Sequence, residues 1–209
     1  MLADVRTLVG TSVLTPDKEL SLLARVNKEK FAAVTVGGRQ VLLTPHGELP
    51  GGLFLDPSTG TALEVDHKKL EAVESSSPVS AAQATSMQAA SATRDAIDRE
   101  MQQYVKSFMP KGVVTTYGSS GAGTKVVCCL VAELADLSNY WAGKWMSEWT
   151  LEVPTGGSIG QLTGKVTSLI KIFELGTDRP NIEFSTGRCE GGTELDTGRC
   201  EAQLGGNHC

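Results

Sequence analysis

The chain has 209 residues, with 19 Lys and Arg against 24 Asp and Glu and a formal net charge of -5. That length suits one compact domain or two small ones, and the acidic balance removes the net basic surface that phosphate binding requires, so no nucleic-acid partner is expected. No apolar run approaches the roughly 18 residues of a membrane span, and residues 1–30 lack the basic, apolar and small-residue succession of a secretory leader.

Residues 2–30 read as helix pieces broken at Thr11-Ser12 and Thr15-Pro16, with a fresh start at Asp17 that carries Leu20, Leu22, Leu23 and Val26. From Phe31 to His67 the pattern changes to short strands at Ala33 to Val36, Gln40 to Thr44 and Ala62 to Val65. Gly37-Gly38, Gly47 to Gly52 and Pro57 to Gly60 separate them. This middle segment has little aromatic bulk and is expected to lean on another part of the chain. Residues 71–93 are dominated by Ser, Ala and Gln, the composition of a linker or an exposed helix lead-in. Ile97, Met101, Tyr104, Val105 and Phe108 then recur at helical spacing between charged residues, which predicts an amphipathic helix stopped by Pro110.

Beyond Pro110 the chain reads as consecutive strands. Val113 to Tyr117 and Lys125 to Glu133 are joined by the glycine-rich turn Gly118 to Gly123. A tryptophan-bearing strand follows, then Gly164 to Leu175, and Asn181 to Ser185 is a candidate fifth. Short connections favour antiparallel neighbours. The expected fold class is therefore α+β: an antiparallel five-stranded sheet with a packed amphipathic helix, preceded by helix remnants and a small β middle segment. The expected divisions are 1–30 helical remnant, 31–68 β middle segment, 69–93 linker, 94–185 sheet domain and 186–209 disordered tail. In that tail Thr186-Gly187-Arg188-Cys189-Glu190 recurs as Thr197-Gly198-Arg199-Cys200-Glu201 in a polar background.

Most site-like constellations fail on chemistry. Gly118 to Lys125 looks like a phosphate loop, but Thr124 stands between the glycine and Lys125, and a strand rather than a helix follows. Gly160 to Lys165 fails similarly, with Ile159 at the first glycine position. Cys189, Cys200, His208 and Cys209 are zinc-ligand types at spacings too loose for a structural site. Cys128 and Cys129 are neighbours in a strand, on opposite faces, and with five cysteines in all they read as reduced thiols of a cytosolic protein. A nucleophilic pair between one of them and His46 or His67 is compatible with their separation, but no oxyanion loop or orienting acid is apparent. No catalytic residue, cofactor site or metal site is assigned, and the chain is read as a non-enzyme.

All three tryptophans lie in the segment Asn139 to Trp149. A spacing of four residues suits either a helix stripe or one face of a strand. Trp145, Trp149, Leu151 and Val153 share one parity with Ser147, while Met146, Glu148, Thr150 and Glu152 take the other, which selects a half-buried strand ended by Pro154. The physical job of such side chains is foremost sheet core. Their order carries more: Asn139, Tyr140, Trp141, Gly143, Lys144, Trp145, Ser147, Glu148 and Trp149 resemble the signature of the alpha subunit of F-actin capping protein. Val41 to Leu49 with Phe54-Leu55-Asp56-Pro57 and Val65-Asp66-His67 is similar to that family's middle segment. Tyr104-Val105-Lys106 with Gly112 to Tyr117 is similar to its helix end and first sheet strand, so the resemblance spans roughly residues 3–185.

The resemblance implies one half of an alpha/beta heterodimer, located in the cytoplasm and cytoskeleton, that occupies actin filament barbed ends independently of calcium and blocks subunit exchange there. The partners it implies are the beta subunit and the filament end. A truncated paralogue that dimerises without capping is the alternative. The family's opening stalk helices have no counterpart, and neither do its long helix after the sheet and its basic amphipathic terminus, so no actin-contact residue is carried over. A sheet without that later helix is expected to leave a face with tryptophan-sized side chains uncovered, each worth about 2–3 kcal/mol if buried. Such a chain is expected to aggregate without a partner.

Overall fold

The structure of the protein is a computed structural model that describes residues 15–136, 141–156, 160–173, 180–185 and 188–190. It opens with helix α1 (Pro16–Glu29), where Pro16 occupies the first turn and Asp17 and Glu19 complement the helix dipole. Residues 1–14, part of the expected helical remnant, lie outside the described residues.

A first sheet follows: β1 (Ala33–Val36), β2 (Arg39–Leu42), β3 (Glu48–Leu49), β4 (Leu53–Asp56), β5 (Thr61–Asp66) and β6 (Glu71–Pro78), in the order β2-β1-β6-β5-β4-β3. A 3-10 turn, Pro45–Gly47, sits between β2 and β3. Val34, Leu43 and Phe54 form this unit's own small core. Helix α1 is tied to it by polar contacts: Asn27 donates to the His67 carbonyl at 2.9 Å, Lys28 meets Glu48, and Lys68 lies 3.3 Å from the buried Glu19.

Helix α2 (Ala81–Phe108) is 28 residues long and leads into the second sheet. That sheet holds β7 (Val113–Ser120), β8 (Gly123–Asp136), β9 (Trp141–Pro154), β10 (Gln161–Phe173) and β11 (Pro180–Ser185), antiparallel in the order β11-β10-β9-β8-β7, with β12 (Arg188–Glu190) also pairing with β10. Helix α2 covers one face, where Val105, Ile97 and Met101 meet Val114, Cys128, Leu130, Ala132, Trp145 and Trp149. The first sheet covers the other face through Phe31, Leu42 and Leu55 against Tyr117, Val127, Cys129, Val131 and Met146. Two hydrogen bonds lock this second interface: Leu42 N–H donates to Thr115 Oγ1 at 2.9 Å, and the Tyr117 hydroxyl donates to the Leu42 carbonyl at 2.9 Å. The middle segment therefore does lean on the sheet, as its composition suggests.

Three expectations need correction. Of residues 69–93, read as a linker or an exposed helix lead-in, Glu71–Pro78 is strand β6 rather than linker, while the part from Ala81 onward is the first half of α2, in keeping with the lead-in reading. Ser80 accepts from Gln83 N–H while the Gln83 side chain returns to the Ser80 backbone, a capping box that starts the helix at Ala81. The Ala and Ser content there is a packing requirement as well as helix-compatible composition, since Ala90 is buried and Gly118 lies so close that a Cβ on it would come within 3.3 Å of the Ala90 Cβ. The second sheet has six strands rather than five, because Arg188–Glu190, placed in the expected tail, pairs with Thr163 to Lys165 of β10. Residues 191–209 of that tail lie outside the described residues. Finally, Trp145 and Trp149 are half-buried rather than uncovered, packed against Val105, Val114, Cys128, Leu130 and Ala132, and among the described residues the large apolar side chains exposed on that face of the sheet are Leu162 and Ile170 of β10.

The first sheet also contains a buried charge. Asp56 is fully buried and accepts from Arg39 Nη1 at 2.8 Å, a second Arg39 nitrogen, Ser58 N–H and the Thr59 hydroxyl. Burial alone would push its carboxyl up, but the donors outweigh it and hold the group below the ordinary 3.8. Nearby His67 is held below its ordinary 6.5 by burial against Phe54. Both groups bind protons more weakly folded than unfolded, so stability is full at neutral pH. It is expected to decline first as pH drops below about 6.5 and again as pH falls through the lowered Asp56 value. Urea midpoints measured between pH 7 and pH 3 check this, and a flat profile would remove both contributions.

Candidate functional site

Strand β9 carries the described part of the tryptophan signature, and its neighbours fix what each side chain faces. Asn139 and Tyr140 lie outside the described residues, and only the backbone of Trp141 is described. Gly143, Trp145, Ser147 and Trp149 share the α2 face, while Lys144, Met146 and Glu148 share the face covered by the first sheet. Trp145 stands opposite Ala132 and Ser168, and Trp149 opposite Cys128 and Gly164. Small partners at these positions leave room for the indoles: a Cβ at Gly164 would lie 2.2 Å from the Trp149 ring. Ser147, between the two tryptophans, is buried opposite Leu130 and Val166. Lys144 reaches Glu133 at 2.9 Å.

Glu148 has a more elaborate setting. It pairs across the sheet with Cys129 on one side and Lys165 on the other, and its Oε1 lies 3.1 Å from His46 Nε2. His46 arrives from the 3-10 turn, which Thr44 caps by accepting from Gly47 N–H. Gly47 must lack a side chain because a Cβ there would sit 2.7 Å from the Tyr117 hydroxyl. The His46 hydrogen bond holds the Glu148 carboxyl below its ordinary 4.5.

The structure thus brings together His46 and Cys129, one of the pairings left open by sequence, and adds an acid, Glu148, which the sequence placed in the tryptophan signature but did not connect with His46. His67 is elsewhere, against Asn27 and Phe54. Separation of about a hundred residues hid Glu148 from His46, and no motif spacing would have revealed it. The trio does not make a nucleophile. Cys129 has no exposed surface, and burial pushes its thiol far above the usual range, keeping it protonated. Cys128, on the α2 face, is likewise pushed up by burial, to about 11. The glycine-rich turn after β7 closes a hairpin directly into β8, with no helix N-terminus to receive a phosphate. Cys189 lies in β12, while Cys200, His208 and Cys209 lie outside the described residues.

Comparison with known proteins bears on this sheet and its signature strand. A family model described as F-actin capping protein alpha subunit matches residues 1–189. The F-actin-capping protein subunit alpha of Caenorhabditis elegans is 27% identical over 176 residues, covering 82% of this chain and 60% of that protein. Its counterpart in Chaetomium thermophilum is 25% identical over 189 residues, covering 86% and 64%, and that of Arabidopsis thaliana is 26% identical over 147 residues, covering 67% and 47%. The chain therefore spans about three fifths of the length of the first two. Among solved structures, the homodimeric actin capping protein alpha subunit from Plasmodium berghei matches the fold with a TM-score of 0.68 at 16% identity, over 93% of this chain and 72% of that one.

Proposed function

The chain belongs to the F-actin capping protein alpha subunit family, and from that premise we propose that it acts as one subunit of a dimer that occupies actin filament barbed ends and blocks subunit addition and loss there, independently of calcium. The observation that carries this reading is the continuous family match over residues 1–189 on a sheet that holds the described part of the tryptophan signature. The mechanism is occupancy rather than chemistry, and it places the protein in the cytoplasm with the cytoskeleton. No helix among the described residues is long and apolar enough to cross a membrane.

The beta subunit is the proposed partner. Leu162 and Ile170 support a need for one: both are exposed on the α2 face of β10, beyond the area the helix covers, and each loses apolar contact with water if a partner element lies over it. The name of the Plasmodium berghei neighbour shows that a related subunit can assemble as a homodimer, so a second copy of this chain is the arrangement the same test must separate.

Co-expression with a beta subunit, size-exclusion chromatography and a seeded actin-elongation assay with and without a calcium chelator provide that test. A one-to-one complex that stops barbed-end growth equally in both conditions is the expected result. A complex that leaves growth unchanged makes the chain a dimerisation module. A self-dimer that caps replaces the beta subunit by a second copy, and absence of any complex or capping overturns the proposal.

A further inference from the structure

Three separate elements bring a thiol, an imidazole and a carboxylate to one point beneath the first sheet. Cys129 comes from β8, His46 from the 3-10 turn and Glu148 from β9, and one ligand atom from each lies within 4.8 Å of the other two. We propose that His46, Cys129 and Glu148 form a binding site for a divalent transition metal of the zinc class, which clamps the Pro45–Gly47 turn to the second sheet. The proposal does not depend on capping activity.

The donor set selects the ion. One sulfur, one ring nitrogen and one carboxylate oxygen suit a borderline-soft cation, whereas calcium and magnesium call for shells of oxygen ligands. Zinc–ligand bonds of about 2.0–2.3 Å require ligand atoms roughly 3.5 Å apart in a tetrahedron. The His46 to Glu148 separation of 3.1 Å is already near that edge. Closing the rest requires movement of about 1 Å, which the side chains of His46 and Glu148, 29% and 32% exposed, can make without disturbing the buried Cys129. Their exposure leaves the fourth position to water. The thiol proton leaves to solvent as the sulfur–metal bond forms.

The test is a cobalt(II) titration of the full chain, with its partner subunit where the complex is the soluble form. Cys189→Ser, Cys200→Ser and Cys209→Ser remove the remaining thiols, leaving Cys128 and Cys129. The expected result is a saturable thiolate-to-cobalt charge-transfer band that disappears when His46→Ala is added, together with a zinc-induced rise in the thermal midpoint that the same change abolishes. His46 is partly exposed, so this variant is expected to fold, and circular dichroism checks it. Cys129→Ser in the same background is expected to abolish the band as well; if that variant fails to fold, the His46 comparison alone decides. Absence of the band in the triple-serine background, or a band that survives His46→Ala, overturns the site, as does binding confined to the chain with its tail cysteines intact.

Discussion

Arg39→Ala is expected to lower the unfolding free energy by about 3–5 kcal/mol, because it strands a carboxylate that has no exposed surface. Asp56 keeps the Ser58 amide at 3.0 Å and the Thr59 hydroxyl at 2.8 Å after the change, but both are neutral donors from the turn that follows it. Neither offsets the desolvation of a full charge, so the carboxyl must rise in pKa and take up a proton, or the turn must open to water. The converse substitution is expected to be milder. Asp56→Asn retains a side-chain oxygen for the Ser58 amide, and the Arg39 guanidinium it leaves unpaired is 37% exposed and can reach solvent. The asymmetry is the diagnostic feature: urea denaturation should place Arg39→Ala well below Asp56→Asn. Equal costs would mean that the pair acts only through its mutual attraction, not through the burial of one member.

How much of this was legible beforehand depended on whether a signal was local. The parity of Trp145, Ser147 and Trp149 against Met146 and Glu148 predicted a strand with two unlike faces, and the two faces proved to join different cores, the tryptophans packing with Val105, Val114, Cys128, Leu130 and Ala132 and Met146 packing with the cluster shared with the first sheet. The apolar stripe from Ile97 to Phe108 located the second half of α2. Its first half went unread because close approach to Gly118 and the β7 end requires small residues, which removes the stripe that periodicity looks for. The capping box at Ser80 and Gln83 was the signal that could have found it. Strands β3, β4 and β6 were missed for another reason. They are short or rich in Ser and Glu, and pairing with neighbours rather than their own alternation defines them. His46 and Glu148 each fell in a segment that the sequence singled out, but nothing in the spacing placed them with Cys129 as one cluster. The cluster exists because the β8–β9 register sets Cys129 opposite Glu148 and the Thr44-capped turn drops His46 onto that pair.

The signature strand offers the second large effect. Gly164 stands directly across from Trp149, and a Cβ there would lie 2.2 Å from two ring carbons of the indole. Its backbone is ordinary strand, so a branched residue is tolerated by φ and ψ and excluded by the indole alone. Gly164→Val is therefore expected to destabilise by about 3 kcal/mol, the upper end for overpacking, as the indole is driven off the cluster of Val105, Val114, Cys128, Leu130 and Ala132. Trp149→Ala removes the same indole and is expected to cost about 3 kcal/mol through the space left under α2. Combined, the two changes cannot cost their sum, because the valine fills part of the volume the indole vacates and has nothing left to clash with. A double-mutant cycle should show a favourable coupling of about 1–3 kcal/mol. Simple additivity would mean that Gly164 is constrained by something other than Trp149. It would then be the neighbouring strand pairing, rather than the fit between indole and glycine, that requires a glycine opposite the last tryptophan of the signature.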